Sequence, residues 1–310
     1  MREITTKPSR LVGDPVHKAH RRRDLLRRWA VVSWVLPAFA AYCFGVLYPL
    51  TQSIRYSFYD WDGVGVATPV GIGNYVAIFT QSVLFESIIH AFVLIIFFTV
   101  FPVGLGLISA AFMREVRAQA FSTTARVILF IPQVVPLAGA AIAWTWMYAE
   151  NGPINQLLRL IGLGSIAQDW LGGFDSALPA VGLIGTWVTL GFCAVLLQSG
   201  MGKIDPSLYE AAQLDGAGRL RQFFSVSVPG LRRELVVCVT ITIISALSSF
   251  DLVYIATNGG PGYATMVPGV KIYQLVFSNQ QIGLASALGV VLAVLIFVVV
   301  LPIQRLGREK

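Results

Sequence analysis

The chain has 310 residues, of which 55% are hydrophobic and only 13% charged, with a mean hydropathy of +0.70. Soluble domains carry roughly a quarter charged residues, so too little polar surface is present to wrap a water-soluble globule, and lipid is the remaining solvent. The net charge of +7 does not make a nucleic-acid patch, because it is confined to short segments between apolar runs.

In chain order, residues 1–28 form a basic tail with nine Lys and Arg, followed by a first apolar run at 29–50. A hydrocarbon core needs about 20 apolar residues per helix, and six runs qualify: Trp29–Leu50, Ile88–Phe112, Val127–Tyr148, Leu178–Gly200, Leu235–Ala256 and Ile282–Leu301. The fold class expected is therefore all-α, a polytopic membrane protein with six transmembrane helices. Each run lacks Lys and Arg, and Asp251 is the one acidic residue inside any of them. Pro37, Pro102, Pro132, Pro136 and Pro179 fall within these runs, where neighbouring helices can satisfy freed backbone groups.

Basic residues orient the chain. Twenty of the 23 Lys and Arg lie in the tail, in the loops after spans two and four, and at 304–310; the opposite loops hold Arg55, Arg159 and Lys271. The positive-inside rule puts both termini in the cytoplasm. The alternative for the first run is a cleaved signal peptide, against which its 28-residue leader and its length both speak. Segment 51–87 is then an extracytoplasmic loop, 88–303 a core of five spans, and 304–310 a cytoplasmic tail. Cys43, Cys193 and Cys238 lie inside apolar runs without metal-ligand spacing, as small core residues do, so no metal site is expected.

The cytoplasmic loop 203–234 reads KIDPSLYEAAQLDGAGRLRQFFSVSVPGLRRE. Asp205 before Pro206 marks a helix start, and Gly216 supplies a left-handed exit. A second amphipathic turn from Leu220 to Phe224 leads to Pro229. The outcome is a helix–turn–helix on the cytoplasmic surface, expected to present Tyr209, Leu214, Phe223 and Phe224 as apolar knobs. Such a surface suits docking into a partner's groove, though a connecting loop resting on the membrane would share its amphipathic pattern.

Glu210-Ala211-Ala212, Gly216 and Val226-x-Val228-Pro229 at this spacing resemble the EAA signature of permeases of binding-protein-dependent ABC importers. With Thr257-Asn258-Gly259-Gly260-Pro261, the chain is similar to the carbohydrate-uptake branch, and there to the first, maltose-type permease. The resemblance covers about residues 30–303; Val226 and Val228 stand where the family often has Ile and Leu. It implies an inner-membrane subunit paired with a second permease as a heterodimer, an ATPase dimer and an extracytoplasmic solute-binding protein. Tyr209, Glu210, Ala211, Ala212, Asp215, Gly216 and Pro229 would make the ATPase-coupling surface. The chain has no phosphate-binding loop of its own, so it is expected to be no enzyme and to hold no cofactor, ATP and Mg being bound by the partner ATPase.

Thr242, Ser245 and Ser249 are spaced to share one helical face, with Asp251 nearby and Trp187, Thr189 and Phe192 on span four. These groups offer a sugar both hydroxyl-matching partners and a flat aromatic face. The resemblance implies solute contacts on or near Val188, Thr189, Phe192, Thr242, Ser245, Ala246 and Ser249. Helix packing alone also favours small Ser and Thr, and Asp251 could serve a helix end. The solute expected is a mono-, di- or oligosaccharide, with glycerol-phosphate or a polyol as alternatives. An ion-coupled secondary transporter would want several buried ionisable residues, and a membrane enzyme clustered His, Asp or Glu.

Overall fold

A computed structural model of the chain describes residues 34–115 and 119–307. The basic tail 1–28, the start of the first run, Arg117, Arg308 and Lys310 lie outside the described residues. The protein divides into two compact units, Met1–Gln52 and Ser53–Lys310. A helical run from Trp34 to Tyr56, α1, begins in the first unit and contains a π turn at Cys43–Leu47.

The second unit is mostly helical. A short hairpin of β1 (Tyr59–Asp60) and β2 (Thr68–Pro69) departs from the all-α expectation. It is held by its own turn, in which Asp62 Oδ1 accepts from Val64 and Gly65 N–H at 2.9 and 2.7 Å. Those backbone bonds hold the Asp62 carboxyl below its ordinary range. Helix α2 (Gly73–Thr80) follows, then α3 (Ser82–Arg114), long enough to cross a bilayer and interrupted by a π turn at Ile96–Val100 just before Pro102. Proline gives up one backbone donor, and the wider turn ahead of it absorbs the mismatch.

The third run is not one straight span. Helix α4 (Gln119–Val134) stops before Pro136, and α5 (Leu137–Tyr148) starts after it; the arm Thr123–Val134 and the arm Leu137–Leu160, which begins with α5, are bent by 99°. The residue ahead of a proline is pushed out of helical geometry, which overrides the apolar continuity of Val127–Tyr148. Helix α6 (Pro153–Leu160) then leads into α7 (Ala177–Met201), the most buried of the span-length helices.

After α7 come α8 (Pro206–Leu214) and α9 (Arg219–Gln222), with a π turn at Phe223–Ser227. The fifth apolar run is also broken. Helix α10 (Arg232–Leu247) ends, three residues intervene, and α11 (Asp251–Ala256) begins. Helix α12 (Pro268–Phe277) and the last span-length helix, α13 (Ile282–Gly307), complete the chain. Among the described residues four helices are long and apolar enough to cross a membrane unbroken, and a fifth crossing follows if the bent pair counts as one.

The core is built on α7. Phe98 of α3 seats against Gly185, and the backbone of Leu129 on α4 against Gly191, positions where any Cβ would collide. Small residues permit such close helix approach in lipid, where no hydrophobic force drives association. Buried Leu94, Val181, Ile184, Ala246, Leu252 and Val270 join α3, α7, α10, α11 and α12 in one apolar cluster. Cys193 and Cys238 are fully buried in a second, with Val103, Leu197 and Leu231. Trp61 O accepts from Ile282 and Gly283 N–H at 2.9 and 3.3 Å, tying the hairpin to the start of α13.

Candidate functional site: a docking helix and a cavity among broken helices

Helix α8 is fixed at both ends by local chemistry. Asp205 Oδ1 accepts from the Ser207 N–H at 2.9 Å, and Pro206 occupies the first helical position. At the other end Gly216 takes φ +76°. Ala217 N–H then reaches Ala212 O at 2.9 Å and Gly216 N–H reaches Gln213 O at 3.0 Å, the paired bonds of a Schellman cap.

Tyr209 does not face outward as the amphipathic pattern predicts. It is buried, its hydroxyl sharing a hydrogen bond with Ser227 Oγ at 2.9 Å, and the Arg114 guanidinium lies 3.1 Å from its ring centroid. A cation over an aromatic face and a buried hydroxyl pair both anchor, so this side chain pins α8 to the end of α3 and to the following turn. Phe223 is half-buried, with its ring edge-on to Phe224 at 5.1 Å. The outward surface carries Leu208, Leu214, Leu220 and Phe224, all exposed, beside exposed Glu210, Ala211, Asp215 and Pro229; Ala212 is half-buried. Lys203 and Glu234, at the two ends of the loop, approach to 3.6 Å.

A cavity of about 330 Å³ lies where three irregular stretches of backbone converge. These are the π turn of α3, which contributes Phe98; the α4–α5 break, flanked by Gln133 and Leu137 with Val135 inside it; and the α10–α11 break, with Ser248, Ser249 and Phe250. Val188 and Thr189 of α7, Ser245 of α10 and Asp251 and Leu252 of α11 complete the lining. Non-helical backbone at membrane depth is tolerated only where protein or a water-filled cavity receives its polar groups.

Three of the polar side chains share one character. Ser245 Oγ donates to Ile241 O at 2.9 Å, Ser248 Oγ to Ile244 O at 2.6 Å and Thr189 Oγ1 to Gly185 O at 2.8 Å. Each hydroxyl proton is thus committed to its own helix, leaving oxygen lone pairs for a guest. The Asp251 carboxylate accepts only, and Gln133 can do both. Among the described residues the wall is rich in acceptors and carries no basic group, an arrangement suited to a neutral solute with many hydroxyl donors.

Four of the six expected path residues, Thr189, Ser245, Ser249 and Asp251, therefore meet around one space. Two do not. Thr242 is almost fully buried with Oγ1 bonded to Cys238 O at 2.8 Å, and Phe192 packs beside Cys193 and Leu197. Thr242 and Ser245 both lie on α10 ahead of the helix break, and Thr242 is taken up in packing while Ser245 and, within the break, Ser249 line the cavity. Ala246 is core, and Trp187 turns away to meet Trp144 at 5.6 Å in a separate apolar cleft of about 670 Å³. Gln133 and Ser248 join the site without being expected from the residues. A lone amide beside Pro132 in an apolar run is a signal for Gln133; Ser248 has none apart from its neighbours.

The stretch after α11 is compact. Asn258, Gly259 and Gly262 take positive φ, the Gly260–Pro261 bond is cis, and Thr265 Oγ1 donates to Gly260 O at 2.7 Å.

Comparison with known proteins gives this architecture a family. The chain is 32% identical to the probable ABC transporter permease protein YurN of Bacillus subtilis, over 89% of this chain and 96% of that protein. It is 32% identical to the sulfoquinovosyl glycerol transport system permease protein SmoG of Agrobacterium fabrum, over 93% of each. It is 33% identical to the diacetylchitobiose uptake system permease protein NgcF of Streptomyces coelicolor, over 80% of this chain and 73% of that one. Among solved structures, a chain of a bacterial ABC transporter involved in the import of the acidic polysaccharide alginate superposes with a TM-score of 0.78 at 21% identity, covering 93% of this chain and 98% of that one. Residues 102–308 match the family described as binding-protein-dependent transport system inner membrane component, and the chain belongs to that family of ABC importer permeases.

Proposed function

We propose that this chain is one permease of an ATP-driven importer for a neutral sugar, crossing the membrane six times with both ends in the cytoplasm. The observation that carries the reading is the acceptor-rich cavity where three broken helices meet. Sugars present dense hydroxyl donors, and such a wall offers them partners without a counter-charge. The solutes named for SmoG and NgcF, a sulfoquinovosyl glycerol and diacetylchitobiose, support a sugar as the class, and the neutral charge rests on the cavity lining alone. A glycerol-phosphate would find no basic side chain in this lining, so of the alternatives a polyol fits better.

In this reading the bent α4–α5 pair and the α10–α11 pair each make one crossing. A second permease supplies the facing wall of the path, and an extracytoplasmic binding protein delivers the solute. ATP hydrolysed by a separate subunit dimer is felt through α8, whose exposed leucines and Glu210 form the contact surface, while buried Tyr209 passes the displacement to α3 and the turn at Ser227. Opening alternates between the two sides as nucleotide shifts the population of conformations.

The test is uptake of a panel of labelled mono-, di- and oligosaccharides by cells carrying the complete importer. One sugar should be accumulated, and Ser245→Ala with Ser249→Ala together should raise its half-saturating concentration about tenfold, the effect of losing one or two hydrogen bonds of about 1 kcal/mol each. Asp251→Asn should cost more. Unchanged uptake in all of these variants would remove the cavity from the solute path.

A further inference from the structure

A second groove, of about 440 Å³, lies between the first half of α10 and the end of α13. Its walls are Val236, Val237 and Ile241, with Arg233 towards the end of the helix and Gln304 opposite. At Gly307 the two helices touch; a Cβ there would come within 2.8 Å of Val236 Cγ1. We propose that this groove holds an anionic phospholipid of the cytoplasmic leaflet. The proposal rests on the orientation given above.

Three features point to a lipid. Thr240 lines the groove, is 8% exposed, and its hydroxyl has no hydrogen-bond partner. A helical threonine ordinarily bonds the carbonyl four residues back, as Thr242 does to Cys238 and Thr189 to Gly185. A buried donor left unsatisfied is costly, and a guest bearing an acceptor relieves it. The rim is also basic, with Arg232, Arg233 and Arg305 exposed at this end of the two helices.

Depth supplies the third feature. Thr240 lies seven residues beyond Arg233, about 10 Å along the helix axis. A phosphate at Arg233 would therefore put its lipid's ester carbonyls near the Thr240 hydroxyl and its chains along Val236, Val237 and Ile241. Basic pockets between membrane helices on the cytoplasmic side bind anionic headgroups by this combination of charge and apolar wall. A free phosphate would leave the apolar walls unused.

The test uses the assembled transporter, extracted in mild detergent from cells rich in phosphatidylglycerol, with retained lipid quantified by mass spectrometry. Arg233→Ala should lower retained phosphatidylglycerol about fivefold, the factor one basic side chain near an anionic headgroup contributes. Thr240→Leu, which fills the groove, should do the same, while Thr240→Ser should keep the lipid; equal thermal stability of the three variants shows that folding is intact. Retention unchanged in Arg233→Ala and Thr240→Leu overturns the proposal. So does a photo-crosslink from Val237 that captures the second permease and no lipid. Gln304→Cys labelled with a membrane-impermeant maleimide separates the two readings: labelling from outside the cell defeats the orientation, whatever the lipid result.

Discussion

The loop at 203–234 and the helix break at Ser248–Phe250 lie close in sequence yet obtain their shapes by opposite means. The loop is locally determined: a capping carboxylate, a proline and a left-handed glycine set the limits of α8 within a dozen residues. The break has no Gly or Pro of its own. Ser248 N–H and Oγ both bond Ile244 O, and Phe250 takes φ −134° and ψ −65°, outside helical geometry. What packs against it is remote in sequence. Gly269 of α12 packs so closely that a Cβ there would stand 2.9 Å from Ser249 O and 3.2 Å from the Phe250 Cβ. In the proposed function α8 has to keep its shape while moving, and local rules serve that. A cavity wall has to answer to whatever packs behind it.

Forcing the local rule to fail should have the largest consequence. Proline fixes φ near −65°, whereas Gly216 sits at +76°, in open space where a Cβ would meet nothing within 4 Å. Gly216→Pro must therefore rebuild the exit of α8, and uptake should fall to background while the protein remains inserted. Gly216→Ala meets only the left-handed penalty of about 1–2 kcal/mol and should retain much of the transport. Paired uptake and membrane-abundance assays check both, and normal uptake by a stably expressed Gly216→Pro protein would refute the coupling role of α8.

The remote rule is tested at Gly269. Gly269→Val overpacks the break, which should cost about 1–3 kcal/mol of stability and narrow the cavity beside Ser249 and Phe250. Reduced uptake that larger sugars feel more than smaller ones is the expected pattern in a transport assay. An equal loss for all sugars would mean that only folding had suffered.

This division explains what can be read from residues alone. Asp205, Pro206 and Gly216 each act on neighbours within two or three positions, so the limits of α8 are legible. Membrane character and the positions of the apolar runs are legible for the same reason, since both follow from composition along the chain. An amphipathic pattern misplaces Tyr209 because it cannot say that Arg114 and Ser227, far apart in sequence, converge on one ring. Thr242 shares α10 with Ser245, but burial in the packing, which periodicity along one helix does not register, keeps it out of the cavity lining. The bend at Pro136 lies within reach of local reasoning, but the repair of freed backbone groups by neighbouring helices argues the other way. Gln133, Thr189 and Asp251 come from three different helices, and only packing brings them to one cavity.

The smallest expected effect sharpens the local side of the contrast. The Ser207 backbone N–H, and then its side chain, hold the Asp205 carboxyl below its ordinary pKa of 3.8, because both stabilise the ionised form. The folded pKa is depressed, so the cap's contribution is complete above 3.8 and fades as pH falls through the lowered folded value. Amide exchange across Pro206–Leu214, corrected for intrinsic rates, should therefore speed up in strong acid. Asn caps about as well as Asp but does not titrate, so Asp205→Asn should preserve protection at neutral pH and lose this acid dependence. If both proteins open alike in acid, the start of α8 is held by its burial through Tyr209 and not by its cap.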